Sequence, residues 1–241
     1  MSQIKSCSLQ LAIDKASSSW VTWSMLDIQI RIDLMEKWSE LLSQQRSLDL
    51  LPAQMVNFHI KQALKLISEE QVMPGPTGES NVLTAPGRGV FVITAEYDTP
   101  ETAFVGLIAC ALISGNCVVL SFPPEFQEIV DSLSFVLSLS EIERTVVQVI
   151  KRESVDDIIS DPVIAGMAYV GNVNEAIRLN QVLASRDGQI AQFIIETDLT
   201  HLATLRDQCL ILRFITEKTQ TINLTAVGGN ASLLALGCGD Q

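Results

Sequence analysis

The chain of 241 residues carries 16 lysines and arginines against 28 aspartates and glutamates, a formal net charge of −12 at pH 7. Such an anionic chain repels phosphate backbones and anionic lipids, which argues against nucleic acid and membrane surfaces as partners. Hydrophobic residues make up 47% of the chain, enough for a sizeable core and too many for disorder. The length suits one large domain, or one domain with an appendage.

The N-terminal part predicts helices. Apolar residues recur at helical spacing over residues 26–42, and a second helical pattern follows over residues 60–67. In the first of these patterns, we expect Trp38 to pack against a sheet. The sequence Pro74-Gly75-Pro76-Thr77-Gly78 then ends the helical periodicity, because helices do not continue through such a string.

Strands alternate with helices in the next part of the chain. The β-rich runs cover residues 90–94, 117–121, 145–150, 164–170 and 190–196, and helical patterns lie between them over residues 126–137 and 173–183. Strands that are apolar on both faces and alternate with helices are typical of a parallel sheet covered on both sides. We therefore predict an α/β fold with a doubly wound, Rossmann-like layer from about residue 87 to 200.

The C-terminal part departs from this pattern. Residues 202–216 predict one more helix, whereas residues 219–226 alternate, with Ile222 and Leu224 on one face. This alternation predicts a strand outside the main sheet, paired with residues 80–84. The prediction therefore has three parts: an N-terminal helical segment (1–70), a Rossmann-like domain (87–217), and a protruding β-flap with the C-terminal tail (71–86 plus 218–241).

The sequence predicts neither a metal site nor a membrane-spanning segment. The apolar stretch 103–120 is interrupted by polar residues and glycines, whereas a spanning helix needs about 20 apolar residues in a row. The two histidines lie far apart, and the N-terminus lacks the apolar core of a signal peptide. Five cysteines form no CxxC pair, so we predict reduced thiols and a cytoplasmic location. Apolar neighbours predict core positions for Cys110, Cys117 and Cys209.

Three residues at predicted strand ends bear on function. Gly171 and Asn172 follow a strand and open a helix, where free amides can bind a phosphate, although every strand–helix junction has that geometry. Glu196 ends the last predicted strand of the layer, at the edge of a parallel sheet where ligands collect. No nucleophile with a neighbouring base and no glycine-rich nucleotide motif is evident.

Several strings resemble the aldehyde dehydrogenase superfamily, and specifically the pyrroline-5-carboxylate dehydrogenase modules of proline utilization A. They are PGPTGESN from Pro74, DPVIAGMAYVG from Asp161, LASRDGQI from Leu183 with Glu196-Thr197 after it, and TQTINLTAVGGNASLL from Thr219. The resemblance covers about residues 10 to 237. It implies a Rossmann-like cofactor fold with an oligomerisation flap, and a family activity of NAD-dependent 1-pyrroline-5-carboxylate (glutamate semialdehyde) dehydrogenase.

The same resemblance shows what this chain lacks. In the family, the catalytic cysteine domain follows the motif at Glu196. In this chain only about 20 residues separate that motif from the tail, too few for a domain, since even a small domain has about 50 residues. The oxyanion-stabilising asparagine is replaced by Asp98, whose carboxylate would repel an oxyanion. Ser121 and Phe122 stand in the place of the cofactor-binding lysine, although Glu125 is retained. We therefore assign no catalytic residue; Glu196 is the one retained counterpart, of the family's general base.

The leading hypothesis is a non-catalytic aldehyde-dehydrogenase-like domain of proline catabolism that acts by protein contact. Its flap and tail would cover, or oligomerise with, a proline utilization A type enzyme, or form a homodimer. The predicted interface residues are Ile222, Leu224, Gly228, Gly229 and Asn230.

We expect no required cofactor and at most weak binding of NAD. Glu125, Gly171 and Asn172 would be the vestigial cofactor contacts. Two alternatives stay open: the cofactor half of a split, NAD-dependent pyrroline-5-carboxylate dehydrogenase, and a sensor that binds NAD. Whether the chain is a free protein or part of a longer one also stays open. On its own, we expect it not to oxidise glutamate semialdehyde, because no cysteine nucleophile is in place.

Overall fold

The computed structural model describes residues 2–45, 50–75, 78–140 and 144–223. Three helices come first, and a short antiparallel pair of strands separates them from the α/β layer. The elements are α1 (Ser2–Met25), α2 (Ile28–Gln44), α3 (Leu51–Leu66), β1 (Gln71–Met73), β2 (Glu79–Thr84), β3 (Val90–Ala95), α4 (Glu101–Ile113), β4 (Cys117–Ser121), α5 (Gln127–Ser138), β5 (Val147–Val149), α6 (Val155–Ile159), β6 (Ile164–Val170), α7 (Val173–Ala184), β7 (Gln192–Glu196) and β8 (Lys218–Asn223).

Five strands form the main sheet, all parallel, in the order β5-β4-β3-β6-β7. Every residue of β3 and β4 is buried, which explains why these strands are continuous apolar runs in the sequence. The chain order reverses between β3 and β6, so the sheet is the predicted Rossmann-like, doubly wound α/β layer. Ligands of such sheets bind at the carboxyl ends of the strands, at this point of reversal.

The helix α1 lies in the predicted N-terminal helical segment (1–70), but no separate helix was predicted there, because its buried stripe consists largely of small residues. Ala12, Ala16 and Ser19 lie on this stripe, and no run of large apolar side chains marks it. The helix packs against the main sheet. Trp38, which we expected to pack against a sheet, is fully buried, and its indole Nε1 donates to Ser132 Oγ on the helix α5 at 3.0 Å.

A buried arginine closes the ends of two helices. The Arg31 guanidinium donates to the carbonyl oxygens of Ile113 at 2.9 Å, Leu26 at 2.5 Å and Trp23 at 3.3 Å. Carbonyls at a helix C-terminus have no partner within the helix, and Arg31 supplies one. Burial lowers the pKa of Arg31 to about 10, and the charge of Asp27 opposes this shift, so the side chain stays protonated at neutral pH.

The predicted helix over residues 202–216 is wrong. The structure has turns there and a 3-10 helix at Leu210–Phe214. Long-range hydrogen bonds hold this segment: Arg213 Nη2 donates to the carbonyl oxygen of Phe193 on the edge strand β7 at 2.6 Å. Such contacts replace the regular intrahelical bonds that the apolar pattern suggested.

Cysteine burial follows the prediction at two positions of three. Cys110 and Cys117 are buried, whereas Cys209, predicted to be in the core, is exposed just before the 3-10 helix. Within the described ranges, no helix is both long and apolar enough to cross a membrane. Across the same ranges, no group of three His, Cys, Asp or Glu side chains could hold a metal ion.

The strands β1, β2 and β8 form a separate antiparallel sheet, which we call the flap. β2 pairs with β8 from Glu79–Asn223 to Thr84–Lys218, which confirms the predicted pairing of residues 80–84 with the last strand. β1 adds a third strand that was not predicted. Ile222 lies on β8, which is exposed throughout. Leu224, Gly228, Gly229 and Asn230 lie outside the described residues.

Asn116 joins three segments of the layer, and its replacement by alanine should be costly. Its Nδ2 donates to the carbonyl oxygens of Ala111 at 3.2 Å and Phe214 at 2.8 Å, and its Oδ1 accepts from Gly89 N at 3.0 Å. The side chain is fully buried, so Asn116→Ala leaves these groups without a partner. We expect a loss of about 2 kcal/mol in the free energy of unfolding, measured by urea denaturation.

The exposed Asn180 on α7 gives the matched control for this measurement. Asn180→Ala removes the same side chain from a helix surface, where alanine has the higher helix propensity, and should leave stability within about 0.5 kcal/mol. Equal denaturation midpoints for Asn116→Ala and the wild type would contradict this structural role of Asn116.

Candidate functional site

The carboxyl ends of β3 and β6 meet at the reversal point of the sheet. β3 is followed by Glu96 and β6 by Gly171 and Asn172, which opens α7. Backbone hydrogen bonds fix the spacing, because Glu96 N donates to the carbonyl oxygen of Val170 at 3.0 Å. We call the space around Glu96, Arg152, Gly171 and Asn172 the switch-point crevice.

The Glu96 carboxylate is bound at the amino end of α7. Its Oε2 accepts from Asn172 N at 3.1 Å and from Asn172 Nδ2 at 2.7 Å. Its Oε1 lies 3.5 Å from Arg152 Nη2. Asn172 is also the N-cap of α7, because its Oδ1 accepts from Glu175 N at 2.9 Å. Free amides and the helix dipole favour an anion at this position, and a side chain of the same chain supplies one.

Gly171 leaves room for this carboxylate. A Cβ atom at Gly171 would lie 2.3 Å from Tyr169 Oη and 2.7 Å from Glu96 Cγ, so a side chain there would displace one of them. The Tyr169 hydroxyl donates to the carbonyl oxygen of Asn172 at 3.2 Å. Burial and, after it, the neighbouring Glu96 raise the pKa of Tyr169 well above its usual value, so the phenol stays a neutral donor.

A cavity of about 240 Å³ adjoins the crevice, between α6 and α7. Arg178 on α7 closes part of it: its guanidinium donates to Asp156 on α6 at 2.7 and 2.9 Å and to Glu175 at 2.7 and 2.8 Å. These hydrogen bonds lower the pKa of both carboxyl groups. Thr94 and Tyr169 form the sheet side of the cavity. Its volume lies below the roughly 300–1,000 Å³ of typical ligand pockets.

The structure separates the three predicted cofactor contacts. Gly171 and Asn172 lie together in the crevice, whereas Glu125 lies on an exposed 3-10 turn after β4 and does not line the cavity. Ser121, in the place of the cofactor lysine, is buried, and its Oγ has no hydrogen-bond partner among the described groups. The crevice does not fit a dinucleotide phosphate, because a carboxylate takes the amides that would bind it.

Glu196 is held by the backbone. Its Oε1 accepts from Asp198 N at 3.0 Å, and its Oε2 accepts from Thr204 N at 2.8 Å and Leu205 N at 3.2 Å. The residue is only 1% exposed. A general base must reach the proton that it removes, and here both oxygens face amides of the chain. The arrangement folds the turn after β7 back over the edge of the sheet.

A second cavity, of about 350 Å³, lies between α3, the amino end of α4 and the turn after β7. Its walls are mainly apolar, with Met55, Phe58 and Leu199, and Arg206 at its margin. Leu202, also in the wall, has a φ of 51°, which is rare for a bulky residue. The apolar spacing of α3 indicated its core face, but not that part of this face borders a cavity.

Glu96 and Arg152 complete the crevice, and neither was predicted from the sequence as a site residue. Glu96 and Asn172 are 76 positions apart, and Arg152 stands on a third connection, so no local spacing links them. Each of the three follows a strand of the main sheet, which is the one indication in the sequence, since the carboxyl ends of parallel strands meet at one edge.

No family model matches the chain. Two curated proteins named bifunctional protein PutA are similar to it. The protein of Rhizobium meliloti is 26% identical over 165 residues, which is 68% of this chain and 12% of that protein. The protein of Escherichia coli strain K12 is 29% identical over 168 residues, 70% of this chain and 11% of that protein. The chain therefore spans about an eighth or less of the length of these relatives.

Solved structures extend the similarity. A mutant of Bradyrhizobium japonicum proline utilization A is 29% identical, with a TM-score of 0.71 over 79% of this chain and 22% of that chain. A putative aldehyde dehydrogenase from Burkholderia cenocepacia is 20% identical, with a TM-score of 0.63 over 80% of this chain and 43% of that chain, which shows the fold alone. The chain therefore has the Rossmann-like fold of the aldehyde dehydrogenase superfamily, and within it is similar to the C-terminal aldehyde-dehydrogenase-like domain of proline utilization A.

Proposed function

We propose that the chain is a non-catalytic aldehyde-dehydrogenase-like domain of proline catabolism that acts by protein contact. The partner is a proline utilization A type enzyme or a second copy of the chain. The exposed apolar face of the flap is the observation that carries the proposal. The domain requires no cofactor and binds NAD weakly or not at all.

Three apolar side chains share one face of the flap. Val72 pairs with Val82 across β1 and β2, and Ile222 on β8 pairs with Ser80, two positions from Val82. Cross-strand partners and residues two apart point to the same face, so Val72, Val82 and Ile222 form one stripe. Val72 is 81% exposed and Ile222 48% exposed. A small antiparallel sheet with an uncovered apolar face gains stability when another surface covers it.

The position of Glu196 supports the non-catalytic part of the proposal. Glu196 is the one retained counterpart of a family catalytic residue, and three backbone amides bind its carboxylate. Asp98, in the place of the oxyanion-stabilising asparagine, would add a negative charge where negative charge develops. The Glu96 carboxylate at the amino end of α7 opposes a cofactor phosphate in the same way.

Two aspartates on the apolar face of the flap should weaken association. The variant Val72→Asp with Ile222→Asp places two charges on the stripe, and burying them in an interface is unfavourable. We expect at least a tenfold rise in the dissociation constant, about 1.4 kcal/mol, for the self-complex or the complex with a proline utilization A enzyme. Light scattering measures the first complex and a pull-down with titration the second.

The opposite face of the same sheet provides the control. Thr219 pairs with Leu83, on the other side of the flap from Ile222, so Thr219→Asp adds a charge to β8 without touching the stripe. This variant should associate like the wild type, and circular dichroism should be unchanged in every variant. A wild type that is monomeric at high concentration and binds no proline utilization A enzyme would overturn the contact role.

A further inference from the structure

We propose that Glu96 is an internal inhibitor of anion binding: its carboxylate occupies the amino end of α7 and keeps phosphate-bearing ligands out of the switch-point crevice. The role proposed for Glu96 is separate from the contact role of the flap. The flap strand β2 precedes β3, whereas Glu96 follows β3 at its carboxyl end, and Glu96 would act in the isolated chain. The test of this role involves no partner protein, so its outcome and that of the flap experiment are independent.

Location is the first argument. The crevice lies at the carboxyl ends of β3 and β6, where the strand order reverses and where doubly wound sheets bind their ligands. Asn172 offers both a backbone amide and a side-chain amide there, at 3.1 and 2.7 Å from one Glu96 oxygen. These are the distances at which the same donors would bind a phosphate oxygen. The carboxylate therefore takes the place of the ligand oxygen.

Packing around the carboxylate is the second argument. The backbone of Gly171 approaches Glu96 so closely that a Cβ atom would lie 2.7 Å from Glu96 Cγ. Glycine is thus required for the Glu96 side chain to reach Asn172. Tyr169, 1% exposed, packs on the other side of Gly171 and donates to the Asn172 carbonyl. These contacts hold the Glu96 side chain, which is 20% exposed, against Asn172.

Charge is the third argument. Arg178 is joined to two carboxylates, Asp156 and Glu175, and so adds no free positive charge to the crevice. Arg152 is joined to Glu96 at 3.5 Å and stacks over the ring of Tyr97 at 5.5 Å. Loss of the Glu96 charge would leave Arg152 and the α7 amides facing the crevice together. The crevice would then attract a phosphate that it now repels.

The test uses the full chain with ADP and inorganic pyrophosphate as probes. Isothermal titration calorimetry measures the affinity, and the NMR shifts of the Asn172 and Val173 amides locate the binding. We expect Glu96→Ala to bind both probes at least about tenfold more tightly than the wild type, because it removes the charge and opens the space. Glu96→Gln removes the charge but keeps most of the volume, so it should show a smaller gain.

Two further variants separate this mechanism from a general charge effect. Glu153→Ala removes one negative charge from the same cavity wall without touching Asn172, and should change affinity less than about twofold. Adding Arg152→Ala to Glu96→Ala should remove most of the gain. Circular dichroism checks folding, and if Glu96→Ala does not fold, Glu96→Gln decides. Tight ADP binding by the wild type, no gain in the folded Glu96 variants, or an equal gain in Glu153→Ala would each overturn the proposal.

Discussion

Replacement of Glu196 by alanine is expected to lower the free energy of unfolding by about 4 kcal/mol. The substitution leaves the amides of Asp198, Thr204 and Leu205 without their acceptor, at a site that is 1% exposed. Hydrogen bonds to a charged group contribute about 1.5–3 kcal/mol each, and water entering the space recovers part of the loss. Urea denaturation followed by circular dichroism measures the change.

Two further variants, Glu196→Gln and Glu125→Ala, test whether the loss of stability is specific to the hydrogen bonds of the Glu196 carboxylate. Glu196→Gln keeps one acceptor oxygen but turns an amide group towards a backbone N–H, so we expect a loss of about 2 kcal/mol. Glu125→Ala removes the other retained family glutamate, which is exposed, and should change stability by less than about 0.5 kcal/mol. Hydrogen exchange of the turn between β7 and the 3-10 helix should rise in the Glu196 variants. Unchanged stability and exchange would show that Glu196 is not a structural anchor.

This result bears directly on function. A carboxylate that stabilises a turn through three amides must be buried and fixed. A carboxylate that accepts a proton from a reactant must be accessible to that reactant, so the two roles make opposite demands. In the structure, Glu196 meets the first demand, because its oxygens face the turn that follows β7. The retention of a glutamate at this position therefore needs no catalysis to explain it.

The sequence predicted the main sheet well for a physical reason. A strand buried on both faces must be apolar along its whole length. The apolar runs in the sequence therefore begin and end where the strands do, at residues 164–170 and 117–121. Within the predicted helical segment, α1 was not predicted as a separate helix, because Ala16 and Ser19 pack closely without a large apolar pattern. The prediction failed over residues 202–216 because hydrogen bonds to distant elements hold that segment: Arg213 donates to the carbonyl oxygen of Phe193 on β7, and Asn116 donates to that of Phe214.

The candidate site was predicted less completely than the fold. Gly171 and Asn172 were identified from a local rule, the amide-bearing start of a helix after a strand. Glu96 occupies the amides of Asn172, but it is remote from Asn172 in the sequence, and it reaches these amides only through one orientation of its side chain. Periodicity reports which residues are buried, but not which polar group fills which anion site. Such information enters only when the ends of β3 and β6 are seen side by side.

His59 gives the second prediction, because a buried histidine without a partner makes the fold sensitive to acid. It lies on α3, fully buried, and neither ring nitrogen has a hydrogen-bond partner among the described groups. Its Nε2 faces the α4 glycine Gly106, and its ring meets that of Phe58 edge-on at 5.1 Å. Burial lowers the pKa of His59 from 6.5 to about 4 in the folded chain.

The direction of the pH effect follows from this shift. Between pH 6.5 and about 4, the unfolded chain binds a proton at His59 that the folded chain does not, so stability falls as the pH is lowered through this window. Each unit of pKa difference corresponds to about 1.4 kcal/mol, which gives a loss of about 3 kcal/mol at pH 4 relative to pH 7.5. Carboxyl groups contribute their own loss in the same window, so the comparison must be made between variants.

His59→Met isolates this contribution. Methionine adapts to an irregular core site and has no proton to gain, so the variant should lose about 3 kcal/mol less than the wild type between pH 7.5 and 4. At pH 7.5 the two proteins should differ by about 1 kcal/mol or less, because the buried ring makes no hydrogen bond that is lost. His201→Met changes the other histidine, which is exposed beside Asp198, and should follow the wild-type curve closely. Urea denaturation across the pH range provides the three curves. If His59→Met and the wild type lose stability in parallel, then His59 is protonated in the folded chain. In that case a hydrogen-bond acceptor must reach its ring between α3 and α4.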